Sequence, residues 1–107
     1  MSEEQNEIEV FESGLFTKQL KKLPADVLKL VEDEIDRVIT DPEIGEQKKG
    51  DLSYLRVHKF KINSQLVLLG YAWKDAELQL YLLSVGPHEN FYDTLKARRK
   101  ADLKLLG

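Results

Sequence analysis

Three strand-like runs, at about 54–62, 65–73 and 77–85, stand almost back to back in the chain. Only Asn63-Ser64 separates the first pair, and only Lys74-Asp75-Ala76 the second. Connections this short cannot carry a crossover, so neighbouring runs must pair antiparallel, as a meander. In the middle run, Leu66-Val67-Leu68-Leu69 is apolar at successive positions. Side chains alternate faces along a strand, so this pattern marks a central strand covered on both sides. Gly86-Pro87 breaks the last run.

Upstream, Glu7-Ile8-Glu9-Val10-Phe11 alternates polar and apolar residues and predicts a short half-buried strand. Ser13 offers an N-cap for a helical segment through Leu23, with Leu15, Phe16 and Leu20 as its apolar positions. Pro24 is placed to start a second helix. Its Val27, Leu28, Val31, Ile35, Val38 and Ile39 form one stripe, with Glu32, Asp33, Glu34 and Asp36 pointing away. Asp41-Pro42 stops it, and residues 43–53 read as a polar loop. A final helix is predicted from about Glu89 to Leu105, carrying Lys96, Arg98, Arg99, Lys100 and Lys104. The result is one α+β domain over residues 1–107 with the order β-α-α-β-β-β-α. Two N-terminal helices and a C-terminal helix surround a small antiparallel sheet. With so few helices, the other sheet face is expected to stay partly open.

The net charge of −3 conceals an asymmetry. Residues 1–51 hold seven Lys/Arg against fourteen Asp/Glu, a net −7, and residues 52–107 hold nine against five, a net +4. An acidic whole weakly repels phosphate, but a local basic face can still bind it. Zero cysteines exclude disulfides, thiolate metal sites and cysteine nucleophiles. The two histidines and scattered carboxylates show no ligand spacing such as His-Glu-x-x-His, so neither metal nor cofactor is expected. The opening residues Met1 to Glu7 are acidic and polar, unlike a signal peptide, and no apolar run reaches bilayer length. A cytoplasmic location without membrane attachment is the expectation.

Both histidines sit among groups suited to phosphate chemistry. His58 lies in Tyr54-Leu55-Arg56-Val57-His58-Lys59-Phe60-Lys61, and His88 in Gly86-Pro87-His88-Glu89-Asn90-Phe91-Tyr92. Cleaving RNA without a metal needs a base for the 2′-hydroxyl, an acid for the leaving oxygen, and cations for the phosphorane. Imidazole serves as base or acid near neutrality. Guanidinium offers phosphate a planar, permanently charged fork. His58 and His88 are therefore the acid–base candidates, Arg56 and Lys61 the charge stabilisers, and Tyr92 a base-stacking or proton-donating group. Lys59 is a weaker candidate for phosphate contact, and Arg98 and Arg99 are candidates for RNA contact. One histidine alone is more often structural, and Tyr92, at helical spacing with Phe91 and Leu95, also suits a core.

The order of elements and several motifs resemble the RelE/ParE superfamily of bacterial toxin–antitoxin toxins. The matching pieces are Asp41-Pro42-Glu43-Ile44-Gly45, Lys49-Gly50-Asp51-Leu52, Leu55-Arg56-Val57-His58, Leu82-Leu83-Ser84-Val85-Gly86, and His88 through Tyr92. The resemblance spans essentially the whole chain. It implies a toxin of a type II system, resembling ribosome-dependent mRNA interferases, with ribosome-bound mRNA as substrate and a cognate antitoxin as partner. It places the basic pair of the first meander strand at Arg56 and His58, the post-turn basic group at His88, and the aromatic at Tyr92. The arginine that such toxins carry after the first hairpin is absent, the positions reading Gln65-Leu66-Val67, and the sequence pI is about 5.4. Those departures keep two alternatives in view: a ParE-like inhibitor of DNA gyrase, and a catalytically silent antitoxin-binding corepressor. Fold alone does not separate them.

One parity conflict gives a sharp expectation. Leu55 and Val57 share one face of the 54–62 run, and Phe60 and Ile62 the other. Both pairs want the core, an unbroken strand cannot bury both, and a bulge between Val57 and Phe60 reconciles them. It would gather Arg56, Lys61 and one or both of His58 and Lys59 outward beside Tyr92.

Overall fold

The computed structural model describes residues 7–107, and the opening residues 1–6 of the acidic N-terminal segment lie outside them. The elements run β1 (Glu9–Glu12), α1 (Gly14–Lys21), α2 (Ala25–Thr40), β2 (Glu46–Gln47), β3 (Arg56–Ile62), β4 (Gln65–Lys74), β5 (Gln79–Pro87), α3 (Phe91–Ala97) and α4 (Arg99–Leu106). The α+β class stands: four helices pack on a five-stranded mixed sheet of order β1-β5-β4-β3-β2. β1 pairs parallel to β5, while the meander and β2 pair antiparallel. The predicted order is kept, with the two-residue β2 added inside the stretch read as a polar loop.

The N-terminal half forms as its residue types dictate. Ser13 caps α1, its Oγ accepting from the Phe16 amide at 3.1 Å and donating to the Leu83 carbonyl at 3.0 Å. Pro24 precedes α2, and Asp41 ends it, donating its amide to the Arg37 carbonyl at 2.9 Å. Asn63 and Ser64 take positive φ angles of 52° and 69°, as a two-residue hairpin turn requires. β1 is more exposed than its alternation suggested, all four of its residues facing solvent along the edge. Phe11 nonetheless stacks on Tyr81, centroids 4.9 Å apart.

Both sheet faces carry a core, and the face opposite α1 and α2 stays partly open, as expected, at the Lys59 and Lys61 end of β3. α1 and α2 cover one face over a core of Phe16, Val31, Val38, Ile62, Leu69, Tyr71, Leu80, Leu82 and Val85. A second core of Leu52, Leu55, Val57, Leu68, Ala72, Tyr81 and Leu83 lies under Phe91 and Leu95 of α3 on the opposite face. The C-terminal segment achieves this by breaking at Arg98 (φ −94°, ψ 3°) into two short helices instead of one straight rod. α3 packs close because Gly70 lies beneath it: a Cβ there would stand 3.0 Å from Phe91 Cζ and 3.2 Å from Leu55 Cδ1.

Two cores also remove the parity conflict. β3 pairs with β4 without interruption from Arg56↔Tyr71 through Ile62↔Gln65, so the expected bulge between Val57 and Phe60 is absent. Leu55 and Val57 belong to the α3 side, and Phe60 and Ile62 to the α2 side. A regular strand buries both pairs because each face has its own cover. The irregularity falls instead between β4 and β5, where Gly70 pairs Ser84 and Tyr71 pairs Leu82, leaving Leu83 extra.

Candidate functional site: a lysine and tyrosine face

With β3 regular, alternation divides its polar residues between two environments. Arg56 and His58 lie on the α2 side with Phe60 and Ile62; Lys59 and Lys61 lie on the α3 side with Val57. The single outward cluster anticipated from the sequence is therefore not formed.

On the α2 side the candidate groups have partners within the protein. His58, its side chain only 11% exposed, places Nε2 at 2.8 Å from Glu34 Oε1 of α2. Its ring also stacks on Phe60 at 5.6 Å. Arg56 donates to the carbonyls of Glu43 and Gly45 at 3.2 and 2.7 Å. It thereby ties down the loop between α2 and β2. Tyr71 holds the same loop from the core, donating its hydroxyl to the Pro42 carbonyl at 2.6 Å and accepting from the Gly45 amide at 2.9 Å. Burial pushes the Tyr71 hydroxyl above the ordinary phenol range, so it stays a neutral donor.

The α3 side presents a different surface. Lys59 and Lys61 are exposed at the end of β3 that α3 leaves uncovered. Among the described residues neither has a hydrogen-bond or ion-pair partner. Tyr92, in the first turn of α3, borders the second core and meets Phe91 edge to face at 5.2 Å. Lys48 sits over the Tyr92 ring, Nζ 5.3 Å from its centroid, and is held by Glu46 Oε1 at 3.0 Å. The hydrogen bond to Glu46 raises the Lys48 ammonium above the usual lysine range, helped by Tyr92. Lys48 holds the Glu46 carboxyl below its own range. Lysines 48, 59 and 61 with Tyr92 thus form one cationic and aromatic face.

His88 borders this face. Lys61 pairs across β3–β4 with Leu66, and Val67 pairs with Pro87, so His88 comes next beside Leu66 in the adjoining row. Gln65, Leu66, Pro87, His88 and Glu89 line a shallow cleft there. Two strand spacings separate the Lys61 and His88 backbones by roughly 10 Å. His88 is exposed, in contrast to His58.

Arg98 and Arg99 lie elsewhere. They stand at the α3–α4 break, about 10 Å of helix away from Tyr92. Arg99 Nε donates to the Asp51 carbonyl at 2.8 Å. Arg98 Nε is sealed from solvent, as are Asp102 Oδ2 and the Tyr54 hydroxyl, and none of the three has a hydrogen-bond partner among the described residues. Asp102 is 1% exposed, and desolvation pushes its carboxyl up to about 6 against the opposing pull of Arg98.

The structure thus sets Lys59, Lys61 and Tyr92 on one side of the sheet with His88 at its edge, and places Arg56 and His58 on the other side and Arg98 and Arg99 at the α3–α4 break. Lys48 was missed by the sequence reading because it lies in a polar stretch without periodicity. Its one available signal was the Glu46–Lys48 spacing, which places both side chains on one side of an extended segment.

Among the described residues, no three of His, Asp and Glu gather as metal ligands, and no helix is long and apolar enough to cross a membrane. A family model described as the ParE-like toxin of type II bacterial toxin–antitoxin systems matches residues 10–96. No curated protein matches the chain in sequence. Solved structures share its fold. The RelBE toxin–antitoxin complex of E. coli is 22% identical with a TM-score of 0.62, over 78% of this chain and 99% of that one. The isolated E. coli RelE toxin is 20% identical with a TM-score of 0.61, over 89% and 99%. The RelBE2 complex of Mycobacterium tuberculosis is 19% identical with a TM-score of 0.63, over 76% and 98%.

Proposed function

Since the chain belongs to the ParE-like toxins of type II bacterial toxin–antitoxin systems, we propose that it is the branch of toxin that cleaves ribosome-bound mRNA. The observation that supports this reading is the lysine and tyrosine face. Lys59 and Lys61 alternate along β3, exposed and without partners among the described residues, and Tyr92, backed by Lys48, completes a surface able to hold a phosphate beside a base. Lysines 59 and 61 neutralise the scissile phosphate as negative charge develops. Tyr92 stacks on the neighbouring base or donates a proton. His88, whose imidazole stands at the open edge, transfers a proton.

The step balances without a metal. The 2′-oxygen attacks phosphorus as a base removes its proton, and the bond from phosphorus to the 5′-oxygen breaks. The departing oxygen takes a proton from the acid. A 2′,3′-cyclic phosphate and a 5′-hydroxyl result. His58 is reassigned in this scheme: held by Glu34 at 2.8 Å on the other side of the sheet, it serves the fold. A cognate antitoxin belongs to the same reading, with carboxylates set against Lys59 and Lys61, as does a cytoplasmic place of action.

The test is incubation of purified protein with ribosomes programmed with a defined mRNA, followed by primer extension. Cleavage that depends on both the ribosome and Lys61 supports the reading. Intact mRNA together with inhibited gyrase supercoiling overturns it in favour of gyrase poisoning.

A further inference from the structure

Glu46 pairs with Val57 and so faces the α3 side, and Lys48, two residues on in extended chain, falls on the same side. The Lys48 amide donates to the Leu55 carbonyl at 2.9 Å, fixing the start of that side chain. Its ammonium then lies between two groups, the Glu46 carboxylate at 3.0 Å and the face of Tyr92, 5.3 Å to the centroid. An ammonium within about 6 Å of a ring face is attracted by the ring's quadrupole. Only 23% of the Lys48 side chain is exposed, against 68% for Glu46, so the cation is lodged under its partners and not free in solvent.

Tyr92 needs such a support. The residue that starts its helix, Asn90, is in the left-handed conformation (φ 63°, ψ 4°) and makes no side-chain cap. α3 is only seven residues long, so its first turn is held by tertiary contacts and not by its own ends. Phe91 is anchored in the second core, while Tyr92 is half-buried at its margin.

We infer that Lys48, braced by Glu46, is a positioning residue that sets the Tyr92 ring toward the Lys59–Lys61 row. The inference rests on the mRNA-cleavage reading for its purpose. Its geometry can be measured without that reading.

Two measurements test it. In the wild-type protein the Lys48 ε-methylene protons should be shifted upfield by the Tyr92 ring current, and Tyr92→Leu should return them to the position of the other lysines. A Lys48 signal already at that position overturns the inference, whatever the protein does to mRNA. The second measurement is single-turnover cleavage on programmed ribosomes. Lys48→Met should slow the step about 10-fold while the half-saturating ribosome concentration moves less than about twofold, and Lys48→Arg should restore most of the rate. The double variant Lys48→Met/Tyr92→Phe should be no more than about twofold slower than Tyr92→Phe alone, since the two side chains act as one unit. Multiplicative losses, a loss of affinity alone, or an unchanged rate in Lys48→Met each overturn it. A ring-current shift in a wild-type protein that leaves mRNA intact would overturn the cleavage reading, and with it this role of the contact.

Discussion

β3 has two sides that differ in how their polar groups end. Toward α2, Arg56 terminates on backbone carbonyls and His58 on a carboxylate, both within the protein. Toward α3, Lys59 and Lys61 extend past the last covering helix into solvent. The residues are interleaved in sequence and share the same strand, so composition alone cannot sort them. Parity does, and burial then decides the role. A half-buried cation or imidazole needs an internal partner, because leaving it unpaired costs several times what the paired bond contributes. An exposed lysine incurs no such penalty and remains available to a ligand.

The largest effect that could break this contrast is catalytic. Replacing Lys59 and Lys61 together by alanine should lower cleavage on programmed ribosomes by about 10³-fold, through loss of the charges facing the phosphorane. Thermal melting should stay within about 2 °C of wild type, since both side chains are exposed. Equal cleavage would dissolve the functional half of the comparison.

The next effect concerns the stability of the α3 side. Desolvation raises the Asp102 carboxyl from an ordinary 3.8 to about 6, so the folded state binds the proton more tightly than the unfolded chain. This contribution to stability is therefore full below about pH 4, declines as pH rises, and is gone once pH passes about 6. The swing is at most about 3 kcal/mol. Asp102→Asn should flatten that slope in urea titrations from pH 4 to 7, and a slope unchanged in the variant would assign the dependence to other groups.

Two glycines compare the faces sterically. A Cβ on Gly45 would come within 2.7 Å of the Tyr71 hydroxyl and 3.0 Å of the Val57 backbone. On Gly70 it meets only side-chain tips, at 3.0 to 3.3 Å. Gly45→Ala should cost about 2 kcal/mol and Gly70→Ala about 1 kcal/mol or less, read from urea midpoints at constant slope. The reverse order would mean that the α3 contact is the stiffer one.

The smallest effect sharpens the α2 side. Glu34→Ala leaves His58 without its acceptor and should cost about 1–2 kcal/mol in unfolding free energy. Its single-turnover cleavage rate should remain within about twofold. A large rate loss in a stable Glu34→Ala protein would return His58 to the chemistry.

Much of this architecture was legible in advance because local signals agreed with the fold. Ser13 caps, the Val27–Val38 stripe faces the core, Asp41-Pro42 terminates, and Asn63-Ser64 turns. The break at Arg98 carried no such signal, since neither glycine nor proline marks it. Without it the residue pattern implies one core where the structure has two, and the expectation of a bulge and of a single outward cluster followed from that. Lys59, Lys61, Tyr92 and His88 were visible as residue types. Their grouping depended on knowing that both faces are buried, which is a tertiary fact. Lys48 depended on a two-residue strand too short to show a period.

The parallel pairing of β1 with β5 has a consequence for the order of assembly. Glu9 lies opposite Gln79, and Ser13 reaches across to Leu83, a separation of 70 residues. Contacts this distant in sequence close slowly, after local hairpins and helices have formed. During synthesis β1 can join the sheet only once β5 is available, and Tyr92 joins Lys59 and Lys61 only after that. The emerging chain therefore carries Lys59 and Lys61 well before it carries Tyr92, so the cations precede the face they belong to.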